Sequence, residues 1–324
     1  MRKAGKIPKH FRINSVAIYF HAVHNLKMIW TGFPMRNTQR VSLLVIGLIS
    51  SIFWALPTKA QEATSLRIMT FNLRYASTNT PNSWQERRPV MNSCIAESKP
   101  DIIGTQEGLY HQLQDIASDQ PGFEWIGLGR DGGSHGEFMA IFYNKSRFEP
   151  VEYDHFWLSD TPQVIASTHW GNTNRRMATW VKIKQRSDGR QFYVMNTHLD
   201  HQISLARVKG AQLIRERASQ LATHGLPIIL MGDFNTVPGA EKTHEILTAD
   251  GFFNDTWNYT QTRKNEGVNT FHNFKGKTLG SFRIDWILTH GSWECDQVET
   301  LVYSVNSQFP SDHHPVVAQL RLKK

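Results

Sequence analysis

The sequence predicts one α/β domain that follows an apolar leader. Apolar residues make up 40% of the 324 residues, which is enough for a sizeable core and excludes a disordered chain. From residue 65 onward, strand-like segments alternate with helix-like segments over about 260 residues, a length typical of one domain or two. The chain has only two cysteines, Cys94 and Cys295, which excludes a disulfide-dense scaffold and a four-cysteine zinc site.

The leader combines a basic flank with an uncharged apolar run. Residues 41–58 carry no charge, and Arg36 and Arg40 precede them, a pattern typical of a secretory signal cleaved near Gln61. Met35 stands where such a signal begins, so we expect residues 1–34 to be an upstream extension from a mis-assigned start codon. We therefore expect a signal peptide over residues 35–60 and an exported (periplasmic or secreted) catalytic domain over residues 61–324. The alternative is a retained anchor in the inner membrane, because 18 apolar residues approach spanning length.

Most of the excess positive charge lies in this leader. The whole chain has a formal charge of +8, but residues 1–60 hold nine of its 36 basic residues and no acidic residue. The remaining 27 basic residues face 28 acidic ones, so the domain is close to neutral. This balance argues against tight, non-specific binding of long polyanions, which depends on many Lys and Arg contacts. It leaves the substrate class open.

The first predicted elements follow from local patterns. Residues 66–72 alternate between apolar and polar side chains, as a half-buried strand does. Residues 84–99 have a helical pattern that stops before Pro100. Residues 101–107 form an apolar run that ends in polar residues, which predicts a buried strand.

The later elements have similar signals. Alternation predicts strands over 137–143 and 178–183, and a Ser187–Gly189 turn precedes a strand over 191–198. Helix 204–223 has apolar positions at Leu205, Val208 and Leu213, which we expect to face the core. Three further strands are predicted over 227–231, 284–288 and 316–322.

Polar side chains terminate several of these strands. A strand end presents a rigid side chain to a cleft, so a set of carboxylates, amides and imidazoles at such positions indicates a site. The set comprises Asn72, Glu107, His198, Asp233, Asn235, Asp285, Asp312 and His313. Any one of them is equally explained as a turn former; the co-occurrence favours function.

The ordered motifs resemble the endonuclease/exonuclease/phosphatase superfamily. They are Met69–Asn72, Thr105–Glu107, Asn196–Leu199, Gly232–Asn235, Ile284–Trp286 and Ser311–Pro315, and they span most of residues 66–322. Within that superfamily the chain is similar to exported bacterial members of unassigned substrate. The resemblance implies a four-layered α/β sandwich, with two packed mixed β-sheets between helices and a site at one rim. It also implies a metal-dependent phosphoesterase that uses water as the nucleophile.

The resemblance assigns a role to each site residue. Glu107 is the principal ligand of Mg²⁺, with Mn²⁺ as a substitute, because a hard cation prefers carboxylate oxygen. Asn72 contacts phosphate or the metal, and Asp312 completes the metal or water shell. Asp233 orients or deprotonates water, and Asn235 donates to phosphate.

The imidazoles and arginines complete the predicted machinery. His313 acts as a base or as a donor to the phosphoryl oxygen, with Asp285 holding its imidazole. His198 contacts phosphate and is oriented by Glu137. Arg176, Arg207 and Arg130 have guanidinium groups that can contact phosphate, although surface solvation or a structural ion pair is the simpler explanation for each. Phe271 is a candidate for the pocket wall.

Two other functions fit the sequence less well. Asn196–His201 approaches a dinuclear zinc hydrolase motif, but an asparagine stands where that motif needs its first histidine. A non-catalytic binding module on the same fold would have lost site residues, whereas every motif position here is filled. The substrate is therefore a phosphoester of a small molecule, a nucleic acid or a lipid headgroup. We expect a monomer with no obligate protein partner.

Overall fold

A computed structural model describes residues 65–323 of the protein. The predicted upstream extension, signal peptide or anchor lies outside these residues. No helix among residues 65–323 is both long enough and apolar enough to cross a membrane.

Thirteen strands and five α-helices make up the described region. The strands are β1 (Ser65–Asn72), β2 (Ile102–Gln106), β3 (Phe123–Ile126), β4 (Ile141–Asn144), β5 (Phe148–Trp157), β6 (Met177–Gln185), β7 (Gln191–His198), β8 (Ile228–Asp233), β9 (Asn254–Asp255), β10 (Thr262–Lys264), β11 (Asp285–His290), β12 (Trp293–Thr300) and β13 (Val316–Leu322). The helices are α1 (Trp84–Ser98), α2 (Tyr110–Asp119), α3 (Ser204–Ala222), α4 (Lys242–Thr248) and α5 (Thr256–Tyr259).

The strands form two mixed sheets. One sheet has the order β10-β12-β13-β1-β2-β4-β3 and the other the order β5-β6-β7-β8-β11-β9. Parallel pairs, such as β1 with β2 and β7 with β8, lie beside antiparallel pairs, such as β8 with β11. The predicted α/β class with two mixed sheets is therefore confirmed.

Three apolar clusters separate four layers. The central cluster joins the inner faces of both sheets, with side chains such as Ile68 and Val181. A second cluster packs α1 and α2 on the first sheet through Met91 and Leu113, and a third packs α3 and α4 on the second sheet through Ile214. Two helix layers thus enclose two sheets, as the resemblance implied.

Strand register brings polar strand ends to one rim. His198 at the end of β7 is paired with Asp233 at the end of β8, and Asp233 is paired with Asp285 at the start of β11. In the other sheet, Asn72 is paired with Gln106, so Glu107 follows directly beside it. Neighbouring strands lie about 4.8 Å apart, so paired residues are close enough for their side chains to interact.

Several local expectations needed correction. The predicted strand over 137–143 begins only at Ile141, because residues 137–140 form bridges and loop contacts. The predicted apolar stripe of α3 is wrong at Leu205, which is 57% exposed, whereas Leu213 is partly buried against the core. The buried face of the helix consists of Ala206, Gly210, Ala211, Ile214, Ala218 and Leu221. At Gly210 a Cβ would lie 3.2 Å from the side chain of Leu199, so α3 lies very close to Leu199 at this position.

The local patterns do not predict helices α2, α4 and α5 or strands β3, β5, β9, β10 and β12. The cysteines Cys94 and Cys295 are both free and buried, and they belong to different apolar clusters. A disulfide between Cys94 and Cys295 is therefore not formed.

Candidate active site

A cavity of about 560 Å³ opens at the rim where the polar strand ends meet. Its wall includes ten residues that the sequence predicts for the site or its wall: Glu107, Arg130, Glu137, Arg176, His198, Asp233, Asn235, Phe271, Asp312 and His313. Asn72 and Asp285 are fully buried behind this wall and contact residues that line it. The structure therefore brings together all the predicted site residues except Arg207.

Glu107 has a strained backbone conformation, and hydrogen bonds hold both of its carboxylate oxygens. Its backbone adopts φ +60°, a left-handed conformation that costs a non-glycine residue about 1 kcal/mol or more. One carboxylate oxygen accepts from the Asn72 amide at 3.0 Å, and the other accepts from the Tyr75 N–H at 3.0 Å. Burial raises the pKa of Glu107, but the charge of His313 and these hydrogen bonds lower it more, so Glu107 is ionised at neutral pH.

Asn72 links the two sheets at the site. Its amide nitrogen donates to Glu107 and to Asp233, each at 3.0 Å, while its oxygen accepts from the Arg74 N–H. The reverse amide orientation would set its oxygen against two carboxylates, so these hydrogen bonds fix the assignment. Asn72 thus orients two carboxylates, and its predicted role as a metal ligand stays a prediction.

The residues present fit a divalent cation. Glu107 and Asp312 both line the cavity, and the half-exposed Arg74 approaches their carboxylates at 3.7 and 3.5 Å, beyond direct hydrogen-bond distance. Ligand atoms of Glu107, His198 and Asp233 lie within 4.8 Å of one another. Buried carboxylate oxygens around a polar cavity suit a hard cation such as Mg²⁺, which also retains several waters. Burial raises the pKa of Asp312, so a bound cation would also stabilise its charge.

His313 and Asp285 form a buried pair. His313 Nδ1 lies 3.0 Å from Asp285 Oδ2, and its Nε2 faces Asp233 Oδ2 at 3.8 Å. Burial lowers the pKa of His313, but the charges of Asp285, Asp233 and Asp312 outweigh it and raise the pKa to about 10. His313 is therefore a cation at neutral pH in the metal-free protein.

Asp233, unlike His313, has a pKa close to neutral pH. Burial, together with the charge of Asp285, raises its pKa to about 7, despite the opposing charge of His313. Its Oδ1 accepts from the Asn235 N–H at 2.9 Å, and Asn235 in turn donates through its side chain to the Leu199 carbonyl at 3.0 Å. A carboxyl group with a pKa near 7 in a cavity is poised to take a proton from water.

The predicted orientation of His198 by Glu137 is wrong. Glu137 pairs with Arg130 at 2.7 Å, whereas His198 Nδ1 is buried without a hydrogen-bond partner within residues 65–323. His198 Nε2 faces Asp233 at 3.5 Å. Burial and the nearby charges of Arg176 and Arg130 lower the pKa of His198 well below its ordinary value, so it is neutral at neutral pH.

The arginines separate into two groups. Arg176 is buried in the cavity wall, and its Nε and Nη1 atoms have no hydrogen-bond partner in the described part of the chain. Its Nε faces the buried Asp200 carboxylate at 3.8 Å and its Nη2 lies 3.0 Å from His201 Nδ1, so the N–H donors of Nε and Nη1 stay available to an anion. Arg207 instead forms a bidentate pair with Glu241 at 2.7 and 3.0 Å and does not line the cavity, so its predicted phosphate role is not supported.

Residue His314 is excluded from the chemistry by its surroundings. Its ring stacks on His272 at 3.9 Å, and it does not line the cavity, whereas His313 does. Asn196 at the zinc-like motif is also structural, because its amide donates to the Thr105 and Ala140 carbonyls inside the protein.

Sequence reasoning missed several residues of the cavity wall. They are Arg74, Tyr75, Asn174, His201, Asn273, Phe282 and Ile284. Arg74 and Tyr75 lie just beyond the end of β1, a signal that could have found them. His201 belongs to the zinc-like motif Asn196–His201, but its Nδ1 lies 3.0 Å from Arg176 Nη2.

One glycine is required for the site. At Gly232 in β8, a Cβ would collide with the Thr197 carbonyl of β7. A larger residue would push the two strands apart just where His198 and Asp233 are paired.

Comparison with known proteins agrees with this geometry. The sequence pattern of the Endonuclease/Exonuclease/phosphatase family matches residues 69–313. A solved family protein from Bacteroides thetaiotaomicron is 34% identical, with a TM-score of 0.76 over 80% of this chain and 98% of that chain. A mannosyl-6-phosphatase from the same organism is also 34% identical, with a TM-score of 0.75 over 79% of this chain and 99% of that chain.

Curated relatives are more distant. A Saccharomyces cerevisiae protein named as a probable RNA exonuclease is 24% identical over 201 residues, which cover 55% of this chain and 39% of that protein. The chain spans between 26% and 50% of the length of the four curated relatives that it matches.

Proposed function

The chain belongs to the endonuclease/exonuclease/phosphatase family and is a hydrolase of the phosphoesterase and nuclease type, and from that premise we propose a specific activity. We propose that it is a metal-dependent phosphatase that releases phosphate from small phosphorylated molecules, with sugar phosphates as its substrate class. The observation that carries the proposal is one cavity that holds an acidic cluster, a carboxyl group with a pKa near neutral pH and a buried arginine, two of whose nitrogen atoms make no hydrogen bond within residues 65–323.

The protonation states assign complementary roles to two residues. Asp233, with a pKa of about 7, accepts the proton of the attacking water. His313, with a pKa of about 10, donates a hydrogen bond to the phosphoryl oxygen and stabilises the charge that develops there. Asp285 holds the imidazole of His313 through Nδ1, so that Nε2 faces the cavity.

Binding groups surround this pair. Arg176 offers to the phosphate its Nε and Nη1 donors, which make no hydrogen bond within residues 65–323, and His198 is a neutral neighbour of the same anion. Glu107 and Asp312 would hold the Mg²⁺ ion, with Asn72 fixing Glu107. A bound Mg²⁺ ion supplies Lewis-acid stabilisation of phosphoryl charge.

Two observations favour a small substrate. The mannosyl-6-phosphatase that resembles this chain is 34% identical and aligned over 99% of its length. In addition, the domain is close to neutral after the leader is set aside, which does not favour a long polyanion. The likeness to a probable RNA exonuclease makes nucleic acid the principal competitor.

The test is a substrate panel on the purified full chain. Phosphate or product release is measured from mannose 6-phosphate and other sugar phosphates, nucleotides, single-stranded RNA, DNA and sphingomyelin, each with Mg²⁺, Mn²⁺ or a chelator. We expect metal-dependent release from sugar phosphates that is lost in His313→Ala and retained in His224→Ala, which removes a histidine outside the cavity. Turnover of RNA or DNA alone would overturn the substrate class, and metal-independent turnover would overturn the metal.

We also propose that the protein is exported by the apolar segment 41–58 and acts as a monomer. Mass spectrometry of material from outside the cytoplasm should find a first residue near Gln61. An intact apolar run in membrane fractions would indicate an anchored protein instead.

A further inference from the structure

Arg87 is a buried cation that the proposed chemistry does not use. Its side chain in α1 is fully buried, yet no carboxylate in residues 65–323 lies within ion-pair distance of it. All its hydrogen bonds go to backbone carbonyls instead. A buried charge without an ion pair is costly, so its retention needs a reason.

The five carbonyls belong to two segments of the site and one loop. Nη1 donates to Leu73 at 2.7 Å and to Pro310 at 2.8 Å, and Nη2 donates to Arg74 and Tyr75 at 3.1 and 3.2 Å. Nε donates to the Asn82 carbonyl at 3.0 Å, so all five N–H donors of the guanidinium are used. Arg87 therefore joins segment 73–75 to the residue that precedes Ser311.

Each joined segment positions a candidate metal ligand. In segment 73–75, the Tyr75 N–H donates to Glu107, and the Arg74 side chain faces both Glu107 and Asp312. Beyond Pro310, the Ser311 hydroxyl donates to the Asn72 carbonyl at 2.6 Å. The guanidinium of Arg87, which does not line the cavity, thus holds together the two segments that position Glu107 and Asp312.

We propose that Arg87 is a positioning residue that clamps segments 73–75 and 310–313 together, so that Glu107 and Asp312 are presented as one cation-binding pair. The proposal rests on the metal dependence proposed above. Geometry and charge act in opposite directions here, because a positive group nearby disfavours a second cation. Arg87 therefore contributes through its fork of hydrogen bonds.

The substitution Arg87→Lys separates these two effects. Lysine keeps the charge but offers a single nitrogen with three donors, so it cannot reach five carbonyls. The matched control is Arg88→Lys in the same helix, where the half-exposed Arg88 pairs with Asp115 and Asp119 away from the cavity. Both variants change one arginine of α1 without changing the net charge.

The experiment is a Mg²⁺ titration of the metal-free full chain by calorimetry. We expect Arg87→Lys to weaken Mg²⁺ affinity by about tenfold or more, the usual loss when a group that orients metal ligands is removed, whereas Arg88→Lys stays within about twofold of the unmodified protein. Higher Mg²⁺ concentrations should then restore most of the turnover of Arg87→Lys, which a general loss of structure would not allow. Equal affinities in the two variants would overturn the clamp.

Other outcomes remain distinguishable. If the unmodified protein binds no Mg²⁺, the proposed metal dependence fails, whatever Arg87 does. If Arg87→Lys does not fold, hydrogen exchange of the unmodified protein decides the matter: Mg²⁺ should slow exchange in segments 73–75 and 311–313 together. Protection of one segment alone would contradict a clamp between them.

Discussion

Replacing Asp285 by Asn removes one charge from the buried pair while preserving the shape of the side chain. Asp285 Oδ2 lies 3.0 Å from His313 Nδ1, and both side chains are almost completely buried. Two unit charges about 4 Å apart interact by about 4 kcal/mol at an effective dielectric constant of about 20. This energy corresponds to about a thousandfold change in the protonation equilibrium of His313.

Both pKa values of the site should fall in Asp285→Asn. The charge of Asp285 raises the pKa of His313 and also raises that of Asp233, so its removal lowers the pKa of each. The unmodified enzyme should give a bell-shaped profile of kcat/KM, with limbs near pH 7 and pH 10 that belong to the coupled pair. In the variant, both limbs should move to lower pH, and kcat should fall by about 10²-fold to 10⁴-fold.

The assay is initial-rate phosphate release between pH 5 and 11 at saturating Mg²⁺ (an approximate window set by the two limbs). Asp115→Asn serves as the control, because Asp115 is an aspartate paired with Arg88 away from the cavity. Limbs that stay in place, with kcat within about threefold of the unmodified enzyme, would exclude Asp285 from the mechanism.

Three further predictions test the remaining assignments. Asp233→Asn should abolish the rise of activity near pH 7. Because burial raises the pKa of Asp233 from 3.8 to about 7, ionisation of this group destabilises the folded protein as the pH rises through this range. The variant should therefore have a larger free energy of unfolding than the unmodified protein, by at most about 4 kcal/mol, in metal-free denaturant titrations at pH 8. Glu107→Gln should eliminate Mg²⁺ binding by calorimetry while changing the free energy of unfolding by less than about 1 kcal/mol, since its ion pair with Arg74 is long and half-exposed; retained turnover would contradict its role. Arg176→Met should raise KM for a sugar phosphate by about tenfold or more, whereas Arg207→Met should leave KM within about twofold, and equal effects would refute the assignment of Arg176 to phosphate.

Local pattern was sufficient for the principal elements of the fold. Strand β13 was predicted with its observed bounds, and α1 and α3 each end within one residue of the predicted end. Four of the five missed strands are edge strands, such as β5, half of whose side chains face solvent. Their conformation is set by pairing with a neighbouring strand, which leaves a weak pattern in the sequence.

The α3 face shows how packing decides what periodicity cannot. The pattern predicts Leu205 on the core face because it is apolar, but the buried face of α3 combines small residues such as Gly210 and Ala211 with the larger Ile214. The face that a helix buries depends on the space between the helix and the sheet. Side chains from distant parts of the sequence determine that space.

The sequence by itself determined the chemical content of the site, because carboxylates, amides and imidazoles at strand ends form a local pattern. Only the tertiary structure decided their partners. Glu137 forms an ion pair with Arg130, and Arg207 forms one with Glu241. Arg87 donates a hydrogen bond to the Pro310 carbonyl, 223 positions away in the chain. Such pairings depend on strand order and register, which bring distant segments to one rim, and no periodicity within a single segment encodes them.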